Sequence, residues 1–354
     1  MPRHEQPQDK PVVIVTGSSG LIGQAVIRAL APTYALVGFD RAGPPYPPLE
    51  AEGVIVDVTD ADLMHRGLAR VRYAYGDRLA AVIHLAAYYD FSGEPSDLYE
   101  DVTVQGTERL LQALQGFAVE QFLFSSTMLV HQPLPPGQRL QEGSPLGPKW
   151  AYPQSKRKAE ERIRASHNHI PVVLMRIAGV YTNPCDSIPL AHQIQRIYEK
   201  RLTGRVFPGD ISHGQAFVHL DDTVEAIVRA VDRRQTLPAE ATFLIGEPET
   251  YSYDQLQRRL AELLHGEADW QTHQIPKAVA QTGAWVQDKI PGIEEPFIKP
   301  WMIPLADDHY ELDISRARDL LGWQPRHRLI DTLPSMVEAL QADPVAWYRR
   351  HKLD

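Results

Sequence analysis

A chain of 354 residues, 43% hydrophobic and 23% charged, buries a substantial core and is expected to form one large domain with a smaller one appended. Its net charge of −9, without a Lys/Arg cluster, argues against nucleic acid as a partner. The single cysteine, Cys185, excludes an intrachain disulfide and suits a reducing compartment. The N-terminal stretch lacks the apolar run of a secretory signal, and no later stretch approaches a membrane span. Residues 1–10 are expected as a disordered tail, the setting as cytoplasmic, and the partner as a small molecule rather than a membrane.

Pro11 to Thr16 is rich in β-branched residues, as a parallel strand covered on both faces should be. Gly17-Ser18-Ser19-Gly20-Leu21-Ile22-Gly23 follows at once, and Gln24 to Leu30 continues with helical periodicity. Further strands are expected at Tyr34 to Phe39, Gly53 to Val56, Leu79 to Leu85, Gln121 to Ser125 and Val172 to Ile177. Helices are expected at Ala61 to Tyr75, around Glu108 to Gly116, and at Tyr152 to Ser166. This alternation implies an α/β fold, a Rossmann-type doubly wound parallel sheet, followed by a smaller C-terminal substrate-binding region. The cofactor-binding core is placed mainly in 11–181. The substrate region is placed mainly in 182–354, with some elements returning to the core.

The glycines are explained by a nucleotide loop. Gly17 permits the tight turn, Gly20 lets backbone approach a pyrophosphate, and Gly23 lets the helix pack on the sheet. The helix start, with Ser19, Leu21 and Ile22, then offers N–H groups and a positive field to phosphates. The spacing is G-x-x-G-x-x-G, not the commoner G-x-G-x-x-G. Asp40 ends the second strand, where a carboxylate accepts from an adenosine ribose and repels a 2′-phosphate. NAD is therefore expected over NADP, although Arg41 offers a 2′-phosphate a partner. Asp57 and Val58 suit the rim of an adenine pocket; a solvated loop acid at Asp57 stays open.

Tyr152 and Lys156 stand four apart, one helical turn along the same face. An ammonium there favours the phenolate and makes the phenol a usable acid or base. His84 is expected as a packed core residue. His131, His213 and His219 show no spacing that argues for a metal, and none is invoked.

Beyond residue 181 the pattern loosens. Helices are expected at Ile188 to Thr203, Tyr253 to Leu264, Lys277 to Asp288 and Asp313 to Leu321, with Ile330 to Leu340 the last. The stretch 290–305 fits a lid or plain packing equally. Phe207, Phe217, Trp285, Tyr310 and the apolar stretch around Ile290–Met302 suit a hydrophobic or ring-shaped substrate.

TGSSGLIG (16–23), Asp40, DVTD (57–60), HLAA (84–87), FSST (124–127), YPQSK (152–156), FVHLDD (217–222) and LDISRARDLLGWQP (312–325) run in order through the chain. With these, it resembles the extended short-chain dehydrogenases/reductases, which include nucleotide-sugar epimerases and dehydratases and 3β-hydroxysteroid dehydrogenases. The resemblance implies Tyr152 as catalytic acid/base and Lys156 as holder of the nicotinamide ribose and supporter of the phenolate. It implies Thr127, with Ser126 beside it, as the hydroxyl that polarises the reacting oxygen. Leu85, Ala86 and Ala87, with Ser125, Ala178 and Val180, would line the NAD site. A homodimer through 103–116 and 152–166 is also implied.

Three positions depart from the nucleotide-sugar enzymes. Gly179 stands where those commonly have a diphosphate-binding asparagine, Gln215 where they have a phosphate-pairing arginine, and Thr103 where the family often has asparagine. An amide does not replace a bidentate cation. The expectation is therefore an NAD-dependent oxidoreductase passing hydride between nicotinamide and a secondary alcohol or ketone. A nucleotide-diphosphate-sugar 4-epimerase or dehydratase is the alternative, and a non-catalytic NAD-binding sensor or scaffold a remote one.

Overall fold

The computed structural model describes residues 10–90, 94–281 and 299–353. Its strands include β1 (Val12–Thr16), β2 (Ala35–Asp40), β3 (Glu52–Ile55), β4 (Ala81–His84), β5 (Phe122–Thr127) and β6 (Val172–Ile177). After them come β7 (Gly179–Tyr181), β8 (Phe217–His219) and β9 (Glu240–Ile245). Seven form one parallel sheet in the order β3-β2-β1-β4-β5-β6-β9, while β7 and β8 pair with each other. The chain leaves β1 in one direction and returns on its other side at β4, so the strand order reverses between them. A crevice at the carboxyl ends of these strands is where such sheets bind ligands.

Every residue of β1, β5 and β6 is buried, whereas β3, at the edge, is half exposed. Helices α1 (Leu21–Leu30), α2 (Ala61–Tyr75), α3 (Gly106–Ala113), α4 (Ala151–Ser166), α5 (Ile188–Tyr198) and α6 (Leu220–Asp232) follow in chain order. One face of the sheet packs against Val26, Ile27 and Leu30 of α1 and Ile227 and Val231 of α6. The other packs against Met64 and Leu68 of α2, Leu110 and Leu111 of α3, and Ala159 and Ile163 of α4. Burial on both faces accounts for the unbroken apolar runs of the central strands.

A separate core joins Leu190 and Ile194 of α5 to α7 (Tyr253–His265) and α9 (Leu329–Ala342), with Trp270 and Trp347 buried among them. In chain order between α7 and α9 comes α8 (Ser315–Leu321), whose Ala317 and Leu321 are buried in the first sheet core, stopped by Gly322 in the left-handed conformation, φ 62°.

The structure differs from expectation in several places. Helix α5 stops at Tyr198 rather than Thr203, because the chain turns through a left-handed Lys200, φ 52°. A helix beyond the expected last one, α10 (Pro344–His351), is started by the Asp343 side chain accepting from Ala346 N–H and by proline in its first turn. Helix α6 and strand β9 had no counterpart in the sequence reading. The expected helix from Lys277 lies outside the described residues beyond 281, as do 290–298. Among the described residues no helix is long and apolar enough to cross a membrane.

Candidate active site

The glycine loop joins β1 to α1 at the crevice. Gly17 turns with φ 67°, and its amide donates to Phe39 O at 3.0 Å. A Cβ on Gly23 would stand 2.3 Å from Gly17 O and 2.9 Å from Ser18 Cα, so helix and loop touch backbone to backbone. The Asp40 carboxylate accepts from Ser19 N at 2.8 Å and from Arg41 N at 2.9 Å, which holds it at the tip of β2 beside the loop. Helix α1 begins at Gly20 without a side-chain cap, Leu21 is exposed and Ile22 half-buried. The Ser18 and Ser19 hydroxyls are buried and make no hydrogen bond. Bare helix amides, spare hydroxyls and a loop with no room for a Cβ at Gly17 or Gly23 fit a dinucleotide pyrophosphate, with Asp40 at its ribose.

The other expected lining residues divide. Leu85 N and Ala86 N donate to Thr16 O and Thr16 Oγ1, both at 3.2 Å, and a Cβ on Gly17 would lie 2.9 Å from Ala86 N. These two residues, followed by half-buried Ala87, therefore border the glycine loop directly. Ala178 is buried and bonded to Ile245 O, and Val180 pairs with Val218 in the β7–β8 ladder. Asp57 accepts from Thr59 N and Oγ1, a local turn that gives the loop-acid alternative a visible job. Val58 is buried against Gly106.

Tyr152 and Lys156 lie on α4, facing the end of β5. Lys156 is 2% exposed. Its Nζ donates to Ser125 O at 2.6 Å and lies 4.7 Å from the centre of the Phe124 ring and 5.9 Å from that of Tyr152. Burial pushes this amine down to about 7, with Glu160 opposing the change. The Tyr152 phenol moves opposite to the expected phenolate bias. Burial, and after it the neighbouring Tyr99, hold it above its ordinary value, and Lys156 does not outweigh them. Aromatic rings surround the phenol, with Tyr89 at 4.6 Å, Trp150 at 5.5 Å, and Trp301 5.1 Å beyond Trp150.

Thr127 ends β5, and its Oγ1 accepts from Leu129 N at 3.3 Å, capping the short turn Met128–Val130. A hydroxyl that accepts one bond still has its proton to donate. Ser126 is committed elsewhere, donating to Glu160 Oε1 at 2.5 Å. His84 is wholly buried between Thr16 Oγ1 at 2.6 Å and Thr107 Oγ1 at 2.9 Å. Burial first, then Lys156, push it down to about 3, so it is a neutral core residue. His219, Asp221 and His327 offer ligand atoms within 4.8 Å of one another. The two imidazoles are stacked, 4.0 Å apart and 22° from parallel, so their in-plane lone pairs do not converge on a shared ion.

Residues 99–105 form a π-helical segment although Thr103 replaces the family's asparagine. Thr103 Oγ1 accepts from Tyr88 N at 3.1 Å, and Thr107 Oγ1 donates to Thr103 O at 2.6 Å. The irregular turn therefore survives the replacement. The sequence reading missed Glu160, Arg176 and the aromatic residues around Tyr152. For Glu160 the signal was present, because it continues the spacing of four from Tyr152 and Lys156.

The model of the NAD dependent epimerase/dehydratase family matches residues 13–246. A UDP-glucose 4-epimerase of Mycolicibacterium smegmatis is 28% identical over 344 residues, covering 92% of this chain and 97% of that protein. One of Azospirillum brasilense is 26% identical over 92% of this chain and 91% of its own length. Among solved structures, a UDP-glucuronic acid 4-epimerase of Bacillus cereus, in complex with UDP-glucuronic acid and NAD, superposes with a TM-score of 0.67. It is 20% identical, with 94% of this chain and 99% of that one covered.

These relatives overturn the expectation of a simple oxidoreductase for a hydrophobic or cyclic alcohol. The described aromatic residues Phe207 and Tyr310 behind that expectation are packing. Phe207 stacks on Tyr253 at 3.8 Å and Tyr310 is buried; Trp285 lies outside the described residues. Gly179 and Gln215 also have local explanations. A Cβ on Gly179 would meet the Phe217 ring at 2.9 Å, and the Gln215 amide donates to Asp308 O at 3.0 Å. Neither touches the groups that move hydride and proton, so their loss does not report the reaction class. With the family model spanning most of its length, the chain belongs to the NAD dependent epimerase/dehydratase family and is an NAD-dependent enzyme.

Proposed function

We propose that this chain is a nucleotide-sugar 4-epimerase acting on UDP-hexoses. The observation that carries the reading is Tyr152 and Lys156 on one face of α4 against Ser125–Thr127, beside the glycine loop. It is joined to the full-length likeness to UDP-glucose 4-epimerases. Gly17, Gly20, Gly23 and Asp40 would hold the pyrophosphate and adenosine ribose of NAD, and Lys156 the nicotinamide ribose. When bound, the coenzyme would supply reversible hydride acceptance, so that epimerisation has no net redox change. Tyr152 takes the proton of the sugar 4-hydroxyl and gives it back after the keto sugar has turned its other face. Thr127 donates to the same oxygen as charge develops on it.

A homodimer in the cytoplasm, associating through 103–116 and 152–166, belongs to the same reading. The test is to incubate the NAD-loaded protein with UDP-glucose, UDP-galactose and their uronic acid and N-acetyl counterparts and resolve the products by chromatography. Interconversion of a 4-epimer pair is expected; failure with all of them, or a 4-keto-6-deoxy product, sinks the proposal.

A further inference from the structure

We propose that Glu160, gripped by Arg176, is a positioning residue that locks the register of α4 on β5 and so sets where Tyr152 and Lys156 stand relative to Thr127. The inference rests on the proposed roles of those three residues. Tyr152, Lys156 and Glu160 form one stripe along α4 at a spacing of four. Each of the last two ties the helix to the next position along β5. Lys156 Nζ donates to Ser125 O at 2.6 Å, and Ser126 Oγ donates to Glu160 Oε1 at 2.5 Å.

Arg176 is the partner of Ser126 across the β5–β6 ladder. Its Nε and one terminal nitrogen donate to the two Glu160 oxygens at 3.0 and 2.7 Å. Its other terminal nitrogen donates to Glu142 O at 2.8 Å and meets His131 Nε2 at 2.9 Å. The guanidinium is therefore held by β6 and by the segment between β5 and α4, while the carboxylate is carried by the helix.

Stability alone does not account for this arrangement. Glu160 is 0% exposed and Arg176 2%, and buried ion pairs are often matched or exceeded by apolar residues of the same volume. What a planar, bidentate pair provides is direction. A slip of one residue here, about 1.5 Å and 100°, breaks the Glu160 bonds to Ser126 and Arg176 and the Lys156 tie as well as the packing of Ala159 and Ile163. A displacement of about 1 Å at reacting groups is enough to cost about a hundredfold in rate.

Two variants test this. Ser126→Ala leaves every charge in place and removes only the tie from Glu160 to β5. Glu160→Gln keeps a side-chain oxygen for Ser126 and removes the ion pair. Each is compared with wild type, loaded with NAD, for kcat and KM on UDP-glucose and for thermal midpoint. The Lys156 amine is titrated by NMR of 13Cε-labelled lysine, assigned with Lys156→Met. Expected are losses in kcat of roughly fivefold for Ser126→Ala and roughly 50-fold for Glu160→Gln, with KM within about twofold.

In Ser126→Ala the Lys156 titration moves although no charge was lost, which reports displaced geometry. Variants that lower the thermal midpoint but keep wild-type kcat and Lys156 titration overturn the proposal and leave a purely structural pair. If wild type turns over none of the UDP-sugars, the proposed function fails and the Lys156 titration alone decides the positioning role; if it turns over another of them, kcat and KM are read on that sugar. If Glu160→Gln does not fold, Ser126→Ala decides it.

Discussion

Lys156 places a pH dependence on folding that can be worked out from its surroundings. The amine is 2% exposed and is pushed from 10.5 to about 7 by burial. In the unfolded chain it holds its proton to the ordinary lysine value, about 10.4. Between these limits the unfolded state binds one more proton than the folded state, so stability rises with pH. The slope from this residue is about 1.4 kcal/mol per pH unit. Below about 7 both states are protonated and its contribution is flat.

Lys156→Met keeps much of the side-chain volume and removes the titration. The stability of wild type relative to the variant should therefore grow by about 2 kcal/mol from pH 7 to pH 8.5. With a urea m-value of about 3 kcal/mol/M, the gap between the two midpoints changes by about 0.7 M. Parallel urea titrations of the two proteins across pH 6–8.5 measure this. Curves that stay parallel would refute the argument. A gap that shrinks with rising pH would mean that the folded state favours the ammonium.

Three other perturbations follow from the site. Tyr152→Phe removes the proton carrier, so turnover should fall by at least about a thousandfold while NAD affinity, followed by fluorescence, stays near wild type. Retained turnover would end the assignment. Asp40→Ala removes the acceptor of Ser19 N–H, and the ratio of NAD to NADP affinity should fall roughly tenfold; an unchanged ratio in calorimetry removes its ribose role. Gly23→Ala drives a methyl to 2.3 Å from Gly17 O. Overpacking of about 1–3 kcal/mol outweighs a helix gain below about 1 kcal/mol, so urea resistance and NAD affinity should both fall, and a variant as stable as wild type would show that the loop gives way freely.

Much of the front half could be read in one dimension because each signal is local. β1, its glycine loop and α1 are contiguous, and the run from 152 to 166 announced α4. Strand β9 could not be read so, since it joins β6 some 70 residues earlier in the chain and only the assembled sheet gives it a neighbour. Glu160 was hidden in the charged run KRKAEE, where composition suggests solvent. Its burial follows from the helical phase set by Tyr152 and Lys156, not from its own chemistry. Spacing along a helix gives the nearness of Lys156 to Tyr152, whereas the burial that raises the phenol could be read only from the assembled site. Gly179 and Gln215 misled in a different way, because a lost ligand-binding residue and a repacked one look the same in a string of letters.

The π-helical segment between Tyr99 and Gln105 makes chain length itself a constrained quantity. Its Thr103 receives the Tyr88 amide, Tyr99 OH donates to Asp90 O at 2.9 Å, and the Tyr88 and Tyr99 rings meet edge-on at 4.8 Å. One residue fewer would restore ordinary α-helical winding and turn everything upstream by about 100°, unhooking the loop that carries Tyr89 to Tyr152. Amino-acid exchanges can be absorbed there one at a time. A single-codon deletion has no gradual path, so the bulge behaves as an inherited spacer.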